Sequence, residues 1–304
     1  MIDPKVLSLL KIYETGNFTK AAEQLSLTQP AVSKHIHMLE EELGVKLFVR
    51  SNNKLHITHE GELVIKYAKR MVSLTNNLRE ELNSQRRKIS SLSVGITHTA
   101  ESNASAEALA HYSTSHDNVK IKLITETMDN LCSMLKNFQL DLAIIEGRIS
   151  DASLKSFLLD TDCLLLAVSP TNPLAKQNSV TIEQLKKENM ILRSSASSTW
   201  TMFVSSLESR NMHIEEFNVL MEIDNIATIK DLIRRNFGVS VLARSACMDE
   251  FNKKKIALLP IENLSMIREI NLVYHRDFEH QEILQDIVKS YNETISGTTQ
   301  IFRK

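Results

Sequence analysis

The sequence predicts an α/β protein that begins with a small helical domain and continues into a larger body of alternating strands and helices. Three observations support this prediction. The first 58 residues hold a helix-turn-helix pattern with a two-stranded wing, residues 59–88 form one long amphipathic pattern, and strand-like runs alternate with helical ones from residue 92. We therefore expect a winged helix-turn-helix domain over 1–58, a linker helix over 59–88 and an α/β body over 92–304.

The composition is that of an ordinary globular chain, since 42% of the 304 residues are hydrophobic and 24% are charged. No apolar run approaches the roughly 20 residues that span a membrane, and the N-terminus lacks a secretory signal pattern, so no membrane partner is expected. Three widely spaced cysteines argue against a disulfide framework and favour the reducing cytoplasm. The sequence contains no CxxC or HExxH pattern, so we expect no metal site and no cofactor.

Charge is distributed unevenly along the chain. Residues 1–88 hold 14 Lys and Arg against 10 Asp and Glu, whereas the remaining residues hold 22 against 27. A basic N-terminal block favours a polyanionic partner for that block. Ordinary variation of surface charge is the alternative explanation for a difference of this size.

The third predicted helix is the most informative one. Val32, Ile36, Leu39 and Leu43 follow one another at helical spacing and predict a buried stripe. Its N-terminal end and opposite face carry small and polar residues, namely Thr28, Gln29, Pro30, Ala31, Ser33, Lys34 and His37. Glutamine can pair with adenine, lysine can contact guanine or phosphate, and small side chains permit close approach. This face is therefore typical of a recognition helix in the major groove of DNA.

A two-stranded wing is predicted over residues 50–58. Leu55 and Ile57 alternate inward, and two asparagines form the turn. Arg50, Asn53 and Lys54 are expected to face the phosphates beside the groove, where contacts position a protein without reading the base sequence.

These residues together resemble the LysR-type transcriptional regulators. The resemblance rests on FTKAAEQLSLTQPAVS over 18–33, followed by LEEELGVKLFVR over 39–50. It implies that the first domain binds double-stranded promoter or operator DNA. The alternative is a helical interaction domain that never contacts DNA, and a motif of this length in register favours the DNA-binding interpretation.

The linker helix carries an apolar seam. Its members recur at spacings of three and four residues, close to the pattern of a coiled coil, and are Tyr67, Met71, Leu74, Leu78 and Leu82. A helix outside a domain core needs a partner, and a second copy of the chain is the natural one. The resemblance likewise implies a homodimer or homotetramer, which would read two half-sites on DNA.

The resemblance implies that the body forms two subdomains similar to periplasmic binding proteins, with an effector cleft between them. The matching motifs include VGIT over 94–97, DLAIIEG over 141–147 and NFGV over 236–239. Alternating strands and helices predict a parallel sheet with crossover helices. The chain is expected to cross near Leu166 and return near Arg268, so that subdomain one comprises 92–163 and 269–304 and subdomain two comprises 164–268.

Two hydroxyl-rich segments are candidates for binding the effector. They are Thr97, His98 and Thr99 in one and Ser197, Ser198 and Thr199 in the other. Each follows a strand and enters a helix, whose free N–H groups suit a carboxylate or another small anion. Plain helix capping explains the same hydroxyls equally well. We therefore predict a small-molecule effector that is a carboxylate or another small anion.

Three other function classes fit the sequence less well. An enzyme would need a nucleophile elbow, a P-loop or a dinucleotide motif, and the sequence, with only seven glycines, has none, so no catalytic residue is assigned. A solute-binding protein would carry an export signal and no winged helix, and a DNA-architectural protein would have no use for the large body. The sequence thus predicts a sequence-specific DNA-binding transcriptional regulator controlled by a small-molecule effector.

Overall fold

A computed structural model describes residues 2–51, 54–87, 90–101, 104–116, 119–278 and 280–301. The chain divides into two compact units, one of Met1–Ser91 with Asn137–Gln139 and one of Leu92–Lys136 with Leu140–Lys304. Within the described residues, no helix combines the length and apolar character needed to cross a membrane.

The first unit consists of three short helices, a two-stranded hairpin and one long helix. They are α1 Pro4–Thr15, α2 Phe18–Gln24, α3 Gln29–Leu43, β1 Phe48–Ser51, β2 Lys54–Ile57 and α4 His59–Arg87. Leu9 and Ile12 of α1 are fully buried against α2 and α3. Ala21 of α2 is fully buried too, and its small side chain lets the helices pack closely.

Helix α3 begins and ends as its sequence predicts. The Thr28 hydroxyl accepts a bond from the Ala31 N–H at 3.4 Å, and Gly44 ends the helix with φ of 68°. Val32, Ile36 and Leu39 are buried, but the prediction for Leu43 is wrong, because its side chain is 46% exposed. Leu43 is the last residue of α3, one position before the turn at Gly44.

The start of α4 is fixed against the segment before the wing. The Thr58 hydroxyl donates to the Lys46 carbonyl at 2.6 Å and accepts from the Gly61 N–H at 2.9 Å. Ile65 and Ala68 then bury one face of α4 in the core of the first unit.

The second unit alternates strands with helices. Its elements are β3 Ser90–Ile96, α5 His98–Glu101, α6 Ala104–Ser115, β4 Val119–Thr125, α7 Met128–Lys136, β5 Leu142–Glu146, β6 Leu154–Val168, α8 Ile182–Leu185, β7 Asn189–Leu192, α9 Ser198–Glu208, β8 Asn218–Glu222, α10 Ile226–Arg234, β9 Ser240–Ala243, α11 Arg244–Asn252, β10 Ala257–Leu259, β11 Ile267–His275 and α12 Gln281–Ile301. Short 3₁₀ helices lie at Pro173–Lys176 and Ile214–Glu216.

The main sheet is mixed, so the prediction of a parallel sheet is only partly right. Its strand order is β10-β6-β11-β5-β3-β4, with β9 also pairing to β6. Strands β3 and β5 are parallel, whereas β11 runs antiparallel to both β5 and β6, and β9 and β10 run antiparallel to β6. Strand β11 returns from the far end of the chain and lies between β5 and β6, antiparallel to both.

Strand β6 is long enough to take part in two groups of strands. Its first part, from Leu154 to Cys163, pairs with β11, and its last part, from Leu164 to Val168, pairs with β9 and β10. Separate hydrophobic cores lie on either side of this crossing, one including Val94 and Ile144 and the other including Leu166 and Phe203. The chain therefore passes from one half of the second unit to the other along β6 and returns along β11.

Candidate functional site

The face of α3 predicted to read DNA is exposed. The predicted residues Thr28, Gln29, Pro30, Ser33, Lys34 and His37 are all exposed, and Ala31 is half-buried. The opposite side of the same helix packs into the core through Val32 and Ile36. A rigid helix thus presents a compact polar surface to solvent.

An open groove joins this helix to the wing. It contains about 760 Å³ of empty space, and its polar walls include Gln29, Ser33, His37 and Arg50. Its apolar floor includes Phe18 and Phe48, whose rings meet edge to face at 6.1 Å. The groove therefore brings residues of the predicted recognition helix together with one residue of the predicted wing.

The cations of this surface differ in their partners. Lys34 and Arg50 form no ion pair with any residue that the structure describes, so both charges are available to a polyanion. The Nε2 atom of His37 lies 3.2 Å from Oε1 of Glu41, one turn further along α3. Lys54 is exposed on β2, and Asn53 lies outside the described residues.

The predicted seam of α4 is also exposed. Tyr67, Met71, Leu74, Leu78 and Leu82 each keep between 46% and 54% of their surface accessible. A single chain rarely leaves a continuous apolar stripe of this length in water unless another surface covers it.

A cleft in the second unit lies where several strands end. Thr97 directly follows β3, Glu126 follows β4, Arg193 follows β7 and Asp224 follows β8, and all four line the cleft, which holds about 500 Å³ of empty space. Strand β3 is parallel to β5, and β7 is parallel to β8. The residues that line the cleft thus follow the carboxyl ends of strands, which is where ligands bind in open α/β folds.

Five of the six predicted effector-binding residues line this cleft, and they are Thr97, His98, Thr99, Ser197 and Ser198. Thr199 does not line it. Its side chain is buried, and its hydroxyl lies 3.4 Å from Nη1 of Arg268, because the first turn of α9 directs this position inward.

Hydroxyl groups of the cleft also cap helices, as the alternative interpretation expects. The Thr97 hydroxyl accepts from the Ala100 N–H at 3.2 Å, and the Ser197 hydroxyl accepts from the Trp200 N–H at 3.1 Å. Since α5 has only four residues, its dipole offers little to an anion, whereas α9 has eleven. Capping does not prevent either residue from lining the cleft.

The buried charges of the cleft were not among the predicted site residues. Arg193 is 3% exposed and Glu146 is 1% exposed, although arginine and glutamate are almost never buried so completely without a partner. Glu146 Oε2 accepts from the Thr97 hydroxyl at 2.6 Å, while Oε1 has no hydrogen-bond donor among the described residues. A carboxylate ending the apolar run Leu142–Ile145 was the available signal for Glu146.

Arg193 is similarly unsatisfied. Its Nε and Nη1 atoms are buried without a hydrogen-bond acceptor in the described parts of the chain. Burial lowers the pKa of the guanidinium, and the nearby carboxylates of Asp224 and Glu146 oppose that shift. Arginine stays charged even so, because its ordinary pKa lies above 12, and the cleft therefore holds a permanent buried cation.

A neighbouring part of the cleft reaches the crossing strands. It contains about 920 Å³ of empty space and is lined by Glu146, Arg268, Met128 and Met202, among others. Arg268 of β11 donates from Nη1 to the Ser198 hydroxyl at 3.1 Å, and its Nη2 lies 3.7 Å from Oδ2 of Asp162 on β6. Arg268 thus connects both crossing strands to the N-terminus of α9.

The three cysteines of the second unit carry thiols whose pKa values are raised. Cys132, Cys163 and Cys247 are free, and burial raises the pKa of each thiol, for Cys247 to about 12. A raised pKa keeps a thiol protonated and unreactive. Across the described residues, no group of three or more His, Cys, Asp or Glu is arranged to hold a metal ion.

Two family models match the chain at the sites just described. The model "Bacterial regulatory helix-turn-helix protein, lysR family" matches residues 6–62, and "LysR substrate binding domain" matches residues 85–295. The chain belongs to the LysR family of transcriptional regulators.

Named relatives of this LysR-type regulator resemble it over nearly their full length. The "Probable RuBisCO transcriptional regulator" of Thalassiosira pseudonana is 27% identical over 287 residues, covering 91% of this chain and 94% of the relative. The "HTH-type transcriptional regulator CysL" of Bacillus subtilis is 24% identical over 287 residues, covering 93% and 95%. Membership of the LysR family confirms the prediction that the protein is a DNA-binding transcriptional regulator rather than an enzyme.

A solved structure shows the same fold. Full-length CbnR in complex with its target DNA matches this regulator with a TM-score of 0.67 at 17% identity, covering 96% of this chain and 99% of that one. The predicted architecture, a helix-turn-helix domain followed by an α/β effector domain, is confirmed. This LysR-type regulator accordingly combines a DNA-binding domain with a domain that binds a small-molecule effector.

Proposed function

We propose that the regulator reads its operator with the exposed face of α3 and holds the flanking phosphates with its wing. The residues assigned to this contact are Thr28, Gln29, Pro30, Ala31, Ser33, Lys34 and His37 of the helix and Arg50, Asn53 and Lys54 of the wing. The observation that supports this assignment best is the exposure of Gln29, Ser33 and Lys34 on a helix whose other side is buried. Their side chains can bond base edges in the major groove.

Footprinting and gel-shift titration on the DNA upstream of the regulator's own gene test this proposal. We expect a protected region with paired half-sites separated by about one or more turns of the helix. If neither this region nor any fragment from a genome-wide pull-down is protected above random DNA, the proposal is wrong.

The two kinds of DNA contact predict different effects of mutation. Lys34→Ala should weaken operator binding by about 1–3 kcal/mol while affecting random DNA less. Arg50→Ala should weaken binding to all sequences alike and reduce the slope of log affinity against log salt by about 1. Titrations at several salt concentrations measure both, with Lys11→Ala on α1 as the control that removes one charge elsewhere. An unchanged salt slope in Arg50→Ala would contradict the phosphate assignment.

We infer that the exposed seam of α4 pairs with the same seam in a second copy, so that the regulator is a homodimer or homotetramer. The support is the half-exposed stripe from Tyr67 to Leu82. Sedimentation velocity should give at least twice the 34.5 kDa of one chain, and Leu78→Glu should shift the protein toward monomer because it places a charge in the seam. A monomeric wild-type chain at micromolar concentration would contradict the inference.

We infer further that the effector has an anionic group, of the carboxylate kind, that binds in the cleft of the second unit. The support is the buried, unpartnered guanidinium of Arg193 beside the N-terminus of α9. A ligand that contacts both the segment after β3 and the start of α9 stabilises the arrangement in which these two walls are close. It would shift the population between arrangements of the two halves and thereby change how the dimer binds DNA.

Thr97 offers a test of the effector site. Thr97→Ala should remove the change in DNA affinity that a bound carboxylate causes, because it removes a cleft hydroxyl and the 2.6 Å bond that orients Glu146. Thr97→Ser keeps the hydroxyl and should retain the response. The measurement is a gel-shift titration with and without the compound that raises the melting temperature most in a panel of small carboxylates. An alanine variant that responds like wild type would contradict the assignment.

A further inference from the structure

The charges that line the cleft are of both signs, and its two most buried ones, Arg193 and Glu146, form no close ion pair among the described residues. In the part beside α9, one guanidinium, Arg193, faces the carboxylates of Glu126 and Asp224. Among the described residues, Arg193 forms no ion pair within 4 Å, and neither does Glu146. In the part beside α9, a simple anion would therefore meet one guanidinium and two carboxylates.

The cationic side of the cleft lies at the start of α9. Arg193 has two buried nitrogens without an acceptor, and the N-terminus of an eleven-residue helix adjoins it. The Ser198 hydroxyl accepts from Arg268 at 3.1 Å, so its own hydrogen can still be donated. This wall therefore presents donors to a ligand, and its buried cation lies near the carboxylate of Asp224.

The anionic side of the cleft lies at the ends of β4 and β5. Glu146 is fully buried, one of its oxygens accepts from Thr97, and Oε1 has no donor within the described ranges. Glu126 is half-buried, and one of its oxygens accepts from the Asn130 amide at 2.9 Å. This wall therefore presents acceptors and negative charge.

We propose that the effector is amphoteric: it carries a carboxylate that binds Arg193 and the start of α9, and a protonated amine that binds Glu126 and Glu146. This inference rests on the proposed effector site and names the chemical class of its ligand, a small amino acid or a related zwitterion. Such a ligand satisfies both buried charges at once, whereas an anion or a cation leaves one of them unpaired. Since the two groups bind opposite walls, the zwitterion also holds the two halves of the unit together.

The test compares three charge forms of the same molecules on the full-length regulator. The probes are the standard α-amino acids and their β and γ homologues, each as the free zwitterion, as the N-acetyl form without the ammonium charge and as the amide without the carboxylate. Thermal shift and calorimetry measure binding. We expect at least one zwitterion to bind, and its N-acetyl and amide forms to bind at least about 30-fold more weakly, as expected for removing one partner of a buried charge pair.

Cleft variants assign the charges to their residues. Glu126→Gln should abolish the preference for the zwitterion over its N-acetyl form, and Arg193→Gln should abolish the preference for the zwitterion over its amide. Glu146→Gln, which keeps an acceptor for Thr97, should act like Glu126→Gln. Glu107→Gln, on the exposed side of α6, removes the same charge outside the cleft and should preserve both preferences.

The possible results distinguish the amphoteric class of effector from the proposed anionic effector site on which it rests. If N-acetyl forms or simple mono- and dicarboxylates bind as tightly as the zwitterions, the amphoteric class is wrong and the anionic effector site stands. If the Glu126→Gln and Glu146→Gln variants both keep the full preference for the zwitterion, the assignment of the amine is wrong. If no zwitterion, carboxylate or amine binds, both the inference and the effector site are wrong.

Discussion

Gly61→Ala should lower the free energy of unfolding of the first unit by about 2–3 kcal/mol, although alanine is the better helix former. At temperatures just below the melting temperature of the wild type, the variant should therefore no longer bind the operator. A Cβ atom at Gly61 would overlap the carbonyl oxygen of Leu47 and lie 2.7 Å from Cγ1 of Ile57. The Leu47 oxygen cannot easily move, because it accepts from the Thr58 N–H at 3.0 Å and from its hydroxyl at 3.2 Å. The clash therefore outweighs the gain of about 1 kcal/mol in helix propensity.

Hydrogen exchange of the full chain measures this effect separately for each unit. Exchange should accelerate in residues of α1 to α4 and remain unchanged in the β3–β5 region. Gly16→Ala is the matched control: its site has φ of 61° and, within the described structure, no atom within 4 Å of the added Cβ, so only about 1–2 kcal/mol is expected from the left-handed conformation. A Gly61→Ala variant at least as stable as wild type would show that the helix start can shift.

Arg268→Met should destabilise the second unit by about 3 kcal/mol, because it leaves the carboxylate of Asp162 buried without its counter-charge. Both side chains are almost inaccessible, at 5% exposure for Arg268 and 7% for Asp162. Asp162 keeps its bonds from the Ser245 hydroxyl at 2.7 Å and the Cys163 N–H at 2.9 Å, which limits the loss. The substitution also removes the bond from Arg268 to Ser198, and with it one link between β11 and α9.

Urea unfolding of three variants tests this pair. Arg268→Met alone should be the least stable, and the double variant Asp162→Asn with Arg268→Met should recover most of the loss, since no buried charge remains. Arg148→Met is the control: Arg148 pairs with Glu269 at 2.7 Å but is 84% exposed, so we expect an effect below about 1 kcal/mol. If the double variant is as unstable as Arg268→Met, the loss comes from packing and not from the unpaired charge.

Local patterns predicted the first unit closely. The stripe Val32, Ile36 and Leu39 predicted the buried face of α3, and Thr28 and Gly44 marked its two ends. Helices and caps depend on residues within a few positions of each other, so the sequence alone specifies them. Leu43 shows the limit, because periodicity continues the stripe to the end of the helix, whereas that last position is 46% exposed.

The strands of the second unit were harder to predict, and strand β6 shows why. The apolar run over 163–168 predicts only a short strand, but β6 begins at Leu154, and all of its residues from Lys155 to Thr161 are exposed or half-buried. A strand whose faces are largely solvated lacks the apolar alternation that reveals strands. Its direction relative to β11 depends on a partner about a hundred residues away, which no local pattern encodes.

Several features of this protein follow from the periodicity, capping or motif of one continuous stretch of sequence. They are the winged helix-turn-helix, the long linker helix, the α/β class of the body and the hydroxyl-rich segments after β3 and before α9. The tertiary fold, in contrast, is what buries Arg193 and Glu146 in two adjoining pockets and turns Thr199 away from the first of them. A charged residue usually predicts an exposed position. Its burial here depends on where the carboxyl ends of distant strands meet, and that meeting is a property of the folded chain.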